Sequence, residues 1–478
     1  MNRLLFVLHR YLGITVGFIL LLWCLSGFVM MYVQYPEMSR VDQLRGLAPL
    51  NFQECCNMSD ASRLTQENLS AVTIEMLDET TPVLRAKVSG MPLVMLDLLR
   101  GTELPHITAD AAARIAESFA KNSGLVVGSD SPEIIEIDQW TVTGAYSPHR
   151  PLYRFQSNDH NQTEWYVSSA TGEVVLLTTG TERFWNYFGA VVHWIYPAVL
   201  RQHPGLWAQT VIWVSVAGVF LTLTGLYVGV RQFRGEGAAR SSPYTGIALW
   251  HHYTGLVSGV MTLVWVISGL LSMNPWGLLE GEGASAEARA LSGGPMTWGD
   301  IVEVVGRLPQ FPVESTTVQI ELFRSAGAIT ILATTGNGFG SRFDVATFVP
   351  SPLADHDLQG LATFMLSEVP ILTASMLEAG DAYYYDHHAI REYPVYRVIA
   401  DDVEQRRYYL SATTGQLVAK VDSGIRWYRW LVNGLHRGDF IPLLRDRPLW
   451  DALMLLMLAT VTLLCGIGTY LGIKRLLP

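Results

Sequence analysis

Charge is what this sequence has least of: Asp, Glu, Lys and Arg make up 16% of its 478 residues, against roughly 25% in soluble domains. Basic runs are missing too, and the net charge is −10, so nucleic acid is not an expected partner. Cysteine is scarce, with four in the whole chain, no metal-type spacing among them and no C-x-x-C-H. That excludes a covalently attached haem. No nucleotide or flavin motif, catalytic triad or acid–base pair stands out, so any redox chemistry needs an outside donor. Cys24 and Cys465 fall within apolar runs and read as small apolar residues. Cys55 and Cys56 are adjacent, which leaves a vicinal disulfide, a redox role and plain thiols all open.

What the chain has instead is long uncharged runs. Residues 11–36, 202–230, 241–279 and 452–473 contain no Asp, Glu, Lys or Arg, and about 20 apolar residues cross a bilayer. The expected spans are 1–33, 205–230, 250–273 and 450–473. The first is too long for a signal peptide and lacks an A-x-A-like site, so it is expected to stay attached. Arg3 and Arg10, then Arg231, Arg234 and Arg240 in the 231–249 loop, then Lys474 and Arg475 in the 474–478 tail, all fall on one side. The positive-inside rule makes that side cytoplasmic. The expectation is a bacterial inner-membrane protein with both termini in the cytoplasm. Residues 34–204, with an amphipathic helix, and 274–449 are then two large periplasmic domains.

The chain also repeats itself. An offset of 242 sets His9, Tyr11, Gly13, Gly17, Trp23, Ser26 and Gly27 against His251, Tyr253, Gly255, Gly259, Trp265, Ser268 and Gly269. An offset of 243 sets Arg183, His193, Trp207, Gly225 and Tyr227 against Arg426, His436, Trp450, Gly468 and Tyr470. Between the spans, Trp165-Tyr166-Val167-Ser168 meets Tyr408-Tyr409-Leu410-Ser411, and Thr171-Gly172 meets Thr414-Gly415. The unit of span, periplasmic domain, span is therefore expected twice, related by a pseudo-two-fold axis along the membrane normal. The fold class is an all-α four-helix transmembrane bundle carrying two periplasmic α+β domains. Thr108 is a cap for a helix through 111–121, and Thr297 for one through 301–306. Residues 92–98 and 343–349 read as strands, as do the two aromatic stretches before the Thr-Gly turns.

Ionisable groups in spans are rare and usually functional, and here four histidines repeat as two pairs. His9 and His251 lie at the cytoplasmic span ends, and His193 and His436 on the periplasmic side. Facing across a two-fold axis, each pair suits the two axial positions of one haem b. Gly13, Gly17, Gly255 and Gly259 suit close approach of a flat ring or close helix packing alike. Arg10, Arg183, Arg426 and Arg437 are candidate propionate partners, although interfacial arginines also snorkel. His252, whose counterpart is Arg10, reads as a propionate or surface contact. His387-His388 have no counterpart, which leaves a metal or substrate site and a surface loop open. Trp194, Trp207, Trp427 and Trp430 are candidate linings of an acceptor surface, and equally members of an interfacial belt.

The His9-Arg10-x-x-Gly13 start of a Gly-rich span, its later repeat, and the helix followed by an aromatic strand and Thr-Gly turn resemble the PepSY-associated transmembrane proteins. The resemblance runs over nearly the whole chain. It implies a haem-containing oxidoreductase of iron acquisition that reduces a ferric siderophore in the periplasm; the electrons are expected from a cytoplasmic reductase or quinol. Two alternatives come from other classes: a periplasmic protein- or peptide-binding scaffold without redox activity, and an electron-delivering subunit of a separate periplasmic oxidoreductase.

Overall fold

The computed structural model describes residues 2–53, 55–58, 69–88, 93–128, 131–233, 241–385, 387 and 390–477. The chain divides into two compact units, an apolar helical one of residues 1–35, 182–281 and 423–478, and a β-rich one of 36–181 and 282–422.

The helical unit is built on α1 (Asn2–Thr15), α2 (Gly17–Met30), α3 (Pro204–Gln232), α4 (Gly246–Ser272) and α5 (Leu449–Leu476). Helices α3, α4 and α5 are each long and apolar enough to cross a membrane; α1 and α2 pass that test together, bent by 53° at their junction. The span expected over residues 1–33 is therefore two helices, with the break near Val16. Glycines at 13 and 17 flank the break, and Thr15 Oγ1 donates back to the Tyr11 carbonyl at 3.0 Å. Both features loosen the helical ladder. Helix α3 packs against α1 and α4, and α5 packs against α4 and α2, which closes a ring of neighbours. Its centre is apolar, with Val16, Leu20, Leu221, Val266 and Val461 buried together.

The β-rich unit holds three antiparallel sheets. Its strands are β1 (Leu69–Met76), β2 (Pro82–Val88), β3 (Val94–Asp97), β4 (Thr102–Glu103), β5 (Glu133–Ile135), β6 (Leu152–Gln156), β7 (Glu164–Ser168) and β8 (Val174–Thr178) from the first long segment. The second supplies β9 (Thr317–Ser325), β10 (Ala328–Thr335), β11 (Gly340–Asp344), β12 (Ile371–Leu377), β13 (Val395–Ala400), β14 (Arg407–Ser411) and β15 (Leu417–Val421). Strands β5 to β8 form one four-stranded sheet and β12 to β15 another. Arg154 sits opposite Tyr166 in the first, and Arg397 opposite Tyr409 in the second, so the two registers agree at an offset of 243. A helix covers each: Ala109–Ser123 buries Ile115, Ala116 and Phe119 against Phe155, Trp165 and Val167. Asp355–Leu366 does the same with Leu358, Leu361 and Met365 against Tyr396, Val398 and Leu410.

The third sheet has the order β11-β10-β9-β1-β2-β3-β4, so strands from both long segments, each expected as an α+β domain, share it through the β1–β9 pair. The helix Trp298–Arg307 lies on this sheet's core and is capped by Thr297 as expected, with Asp300 completing a capping box. The strand expected over 343–349 stops at Asp344, because that carboxylate accepts from the Ala346 and Thr347 amides and turns the chain. The strand expected over 92–98 is β3, and Pro92 lies outside the described residues, as do Arg234, Arg240, Asp386 and His388.

Candidate functional site

Two histidine pairs form inside the helical unit. His9, on α1, and His251, on α4, face each other with ring centroids 6.3 Å apart and planes 27° from parallel. His193 ends the short helix Ala190–His193, and His436 lies in Leu435–Arg437; their centroids are 6.1 Å apart, with planes at 68°. A π-helical turn, Arg429–Gly434, leads into His436, a geometry that recurs at functional sites.

Each ring has one nitrogen directed at the backbone or a hydroxyl of a matched partner. Nδ1 of His193 lies 3.1 Å from Ser26 Oγ and 3.2 Å from the Trp23 carbonyl. Nδ1 of His436 lies 3.1 Å from Ser268 Oγ and also meets the Trp265 carbonyl. His9 Nδ1 is 3.1 Å from the Leu221 carbonyl. His251 Nδ1 faces the corresponding Leu464 carbonyl but is buried without reaching hydrogen-bond geometry. Tying Nδ1, as in His9, His193 and His436, fixes the tautomer and leaves Nε2 as the nitrogen free to bind, which is how proteins orient histidine ligands.

Glycine makes room for two of these rings. A Cβ at Gly225 would come within 2.6 Å of His9 Cε1, and one at Gly468 within 3.0 Å of His251 Cε1. The serines, the leucine carbonyls and these glycines went unassigned in the sequence, although Ser26 with Ser268 and Gly225 with Gly468 already matched in the repeat.

The other candidates behave differently. His252 is buried, with Nδ1 2.8 Å from Ser242 Oγ and Nε2 2.8 Å from the Gly229 carbonyl. Both its nitrogens are engaged, so the surface and propionate readings give way to a residue that ties α4 to α3. Arg10 and Arg437 are exposed, and Arg437 contributes its carbonyl to Trp450 Nε1 at 2.8 Å. Arg183 and Arg426 are half-buried and already engaged. Trp194, Trp427 and Trp430 keep much of their surface open. Among the described residues no group of three or more His, Cys, Asp or Glu could hold a metal ion. Cys55 and Cys56 form a disulfide, and Cys24 and Cys465 are free and buried.

No curated protein matches the chain. The family of the PepSY-associated TM region matches it over residues 6–475, and the protein belongs to that family.

Proposed function

We propose that the protein is a transmembrane electron carrier that holds two b-type haems and reduces an acceptor outside the cytoplasm. Ferric iron in a siderophore is the acceptor that the family resemblance favours. The observation that carries this reading is the ring spacing of 6.3 and 6.1 Å within the two histidine pairs. A metal held between the outer nitrogens of two imidazoles, at bonds of about 2 Å, sets the ring centres about 6 Å apart. Two imidazoles alone leave a bare zinc ion short of ligands, whereas a haem would bring most of its own ligands and ask of the protein only such a pair.

Haem, when bound, would supply reversible one-electron chemistry at each pair. His9 and His251 would hold one group, and His193 and His436 the other. Ser26 and Ser268, with the Trp23 and Trp265 carbonyls, orient the second pair. Gly225 and Gly468 leave the first pair its room. Val16 and Leu20, which lie between His9 and Trp23 in the chain, pack with Val266 and Val461 and keep water out.

The same reading takes α1 with α2 as the first of four spans in a duplicated four-helix bundle. Its pseudo-two-fold axis runs along the membrane normal, and both ends and the basic residues lie in the cytoplasm of an inner-membrane protein. The ring of helix neighbours supports it, since it sets α1 and α2 diagonally from α4, and α3 from α5. The electron donor is then a cytoplasmic reductase or quinol.

The test is a reduced-minus-oxidised visible spectrum of the detergent-purified protein, with haem counted per chain, for wild type and for His9, His193, His251 and His436 each changed to Ala. Two low-spin b haems, with each substitution removing one, are expected. A protein made with ample haem supply that carries none refutes the reading and leaves the binding scaffold.

A further inference from the structure

We infer that Arg201 is a receptor for a carboxylate carried by a ligand. The two sources of such a group are a propionate of the haem assigned above to His193 and His436, which rests on that reading, and a carboxylate-bearing ferric chelate arriving from outside, which does not.

The segment after His193 builds an aromatic box. Tyr35 meets Trp194 at 5.7 Å and Tyr196 at 5.6 Å, and Tyr196 meets Trp207 edge-on at 5.5 Å. Trp207 Nε1 donates to the Trp194 carbonyl at 3.0 Å. The guanidinium of Arg201 stacks over Trp207 at 4.6 Å and over Tyr196 at 5.2 Å. The rings occupy its faces, but Nε and Nη1 are buried with no acceptor among the described residues. A donor left so costs about 1–3 kcal/mol, and an unsatisfied group of this kind calls for an explanation. The sequence offers no local acid: none occurs between Glu182 and Glu236.

The other half of the molecule has the missing part. Trp450, the counterpart of Trp207, makes the matching bond to the Arg437 carbonyl, and Arg447 stacks over it at 5.5 Å. Arg447, however, lies 3.8 Å from the Asp451 carboxylate and donates to the Met31 carbonyl at 2.7 Å. The residue matching Asp451 is Ala208. Arg447 matches Pro204 and not Arg201, so the two arginines reach matched tryptophans from different positions; Arg447 has a carboxylate beside it, and Arg201 has none among the described residues. The backbone around Arg201 is also held in an unusual form. Ile195 has φ 50°, where its counterpart is Gly438 at 79°. A β-branched residue in the left-handed region is strained, and such strain gathers at binding sites.

The experiment uses the full-length protein in detergent with two variants, Arg201→Gln and Ala208→Asp. The second places a carboxylate next to Trp207, on which Arg201 stacks, and so tests the site without removing the arginine. Two quantities are read: the affinity for ferric citrate, by tryptophan fluorescence, and the haem midpoint potentials, by redox titration. If the carboxylate arrives from outside, both variants bind ferric citrate about ten- to hundredfold more weakly, with potentials unchanged. If it is a propionate, both variants shift one midpoint to a lower potential and leave citrate affinity unchanged. Wild-type affinity and potentials in both variants overturn the inference. A wild-type protein without haem refutes the histidine reading separately, and the citrate measurement alone then decides.

Discussion

Replacing Gly225 by alanine would set a methyl group 2.6 Å from His9 Cε1, about an ångström inside ordinary contact. The ring cannot retreat freely, because its Nδ1 is held 3.1 Å from the Leu221 carbonyl. Two effects oppose each other. Alanine in place of a helical glycine gains about 1 kcal/mol. Overpacking costs about 1–3 kcal/mol, and losing the ring's hydrogen bond about 1 kcal/mol more. The loss wins, and it falls on the histidine. Two other glycines supply a graded series: the approach is 3.0 Å for Gly468→Ala, the match of Gly225, against His251, and 3.4 Å for Gly269→Ala against His436. Gly225→Ala should weaken cofactor retention at the His9–His251 pair about five- to hundredfold. Gly468→Ala should do so less, and Gly269→Ala should leave the His193–His436 pair near wild type. The assay is haem per chain after stepwise dilution in detergent, with thermal unfolding measured alongside. Equal retention in Gly225→Ala and Gly269→Ala would refute the claim that glycine makes room for the ligand.

Three further outcomes are expected. His252→Ala, which removes two buried hydrogen bonds, should lower thermal stability by about 1–3 kcal/mol while keeping both cofactors; loss of a haem would instead make it a ligand. Burial alone would raise the pKa of Asp381, but the amides of Tyr383 and Tyr384, the Tyr409 hydroxyl and Arg397 together hold it below its ordinary 3.8. Its contribution to stability is thus present above pH 3.8 and lost as pH falls through the lower folded value. Asp381→Asn should accordingly flatten unfolding temperature against pH below 4, and an unchanged slope would count against it. Thiol titration in denaturant should find two reactive cysteines before reduction and four after, from free Cys24 and Cys465 and the bonded Cys55–Cys56. Four before reduction would contradict the disulfide.

Local signals in the sequence carried far. Thr108 and Thr297 cap the helices expected of them, because capping depends on a few adjacent residues. The histidines meet in the pairs that the two offsets match, His9 with His251 and His193 with His436. What stayed hidden depends on residues far apart. The break at Val16 leaves the run of apolar residues unbroken, so hydropathy passes over it. His252 read as a propionate or surface contact beside His251, and only the Ser242 hydroxyl and Gly229 carbonyl, brought in by other segments, make it a buried tie. The difference between Ala208 and Asp451 was legible in the alignment, but its meaning required knowing which arginine stacks on which tryptophan.

The strand pair that joins the two long segments also sets an order of events during synthesis. Val72 of β1 finds its place opposite Leu322 of β9, a partner made 250 residues later. At about 5–20 residues per second, that side of β1 waits roughly ten to fifty seconds with its backbone groups unpaired. During that interval the first segment presents a bare sheet edge, the kind of surface that recruits stray strands. Synthesis halted between the two segments would therefore leave a half-made sheet, with the β1 edge bare.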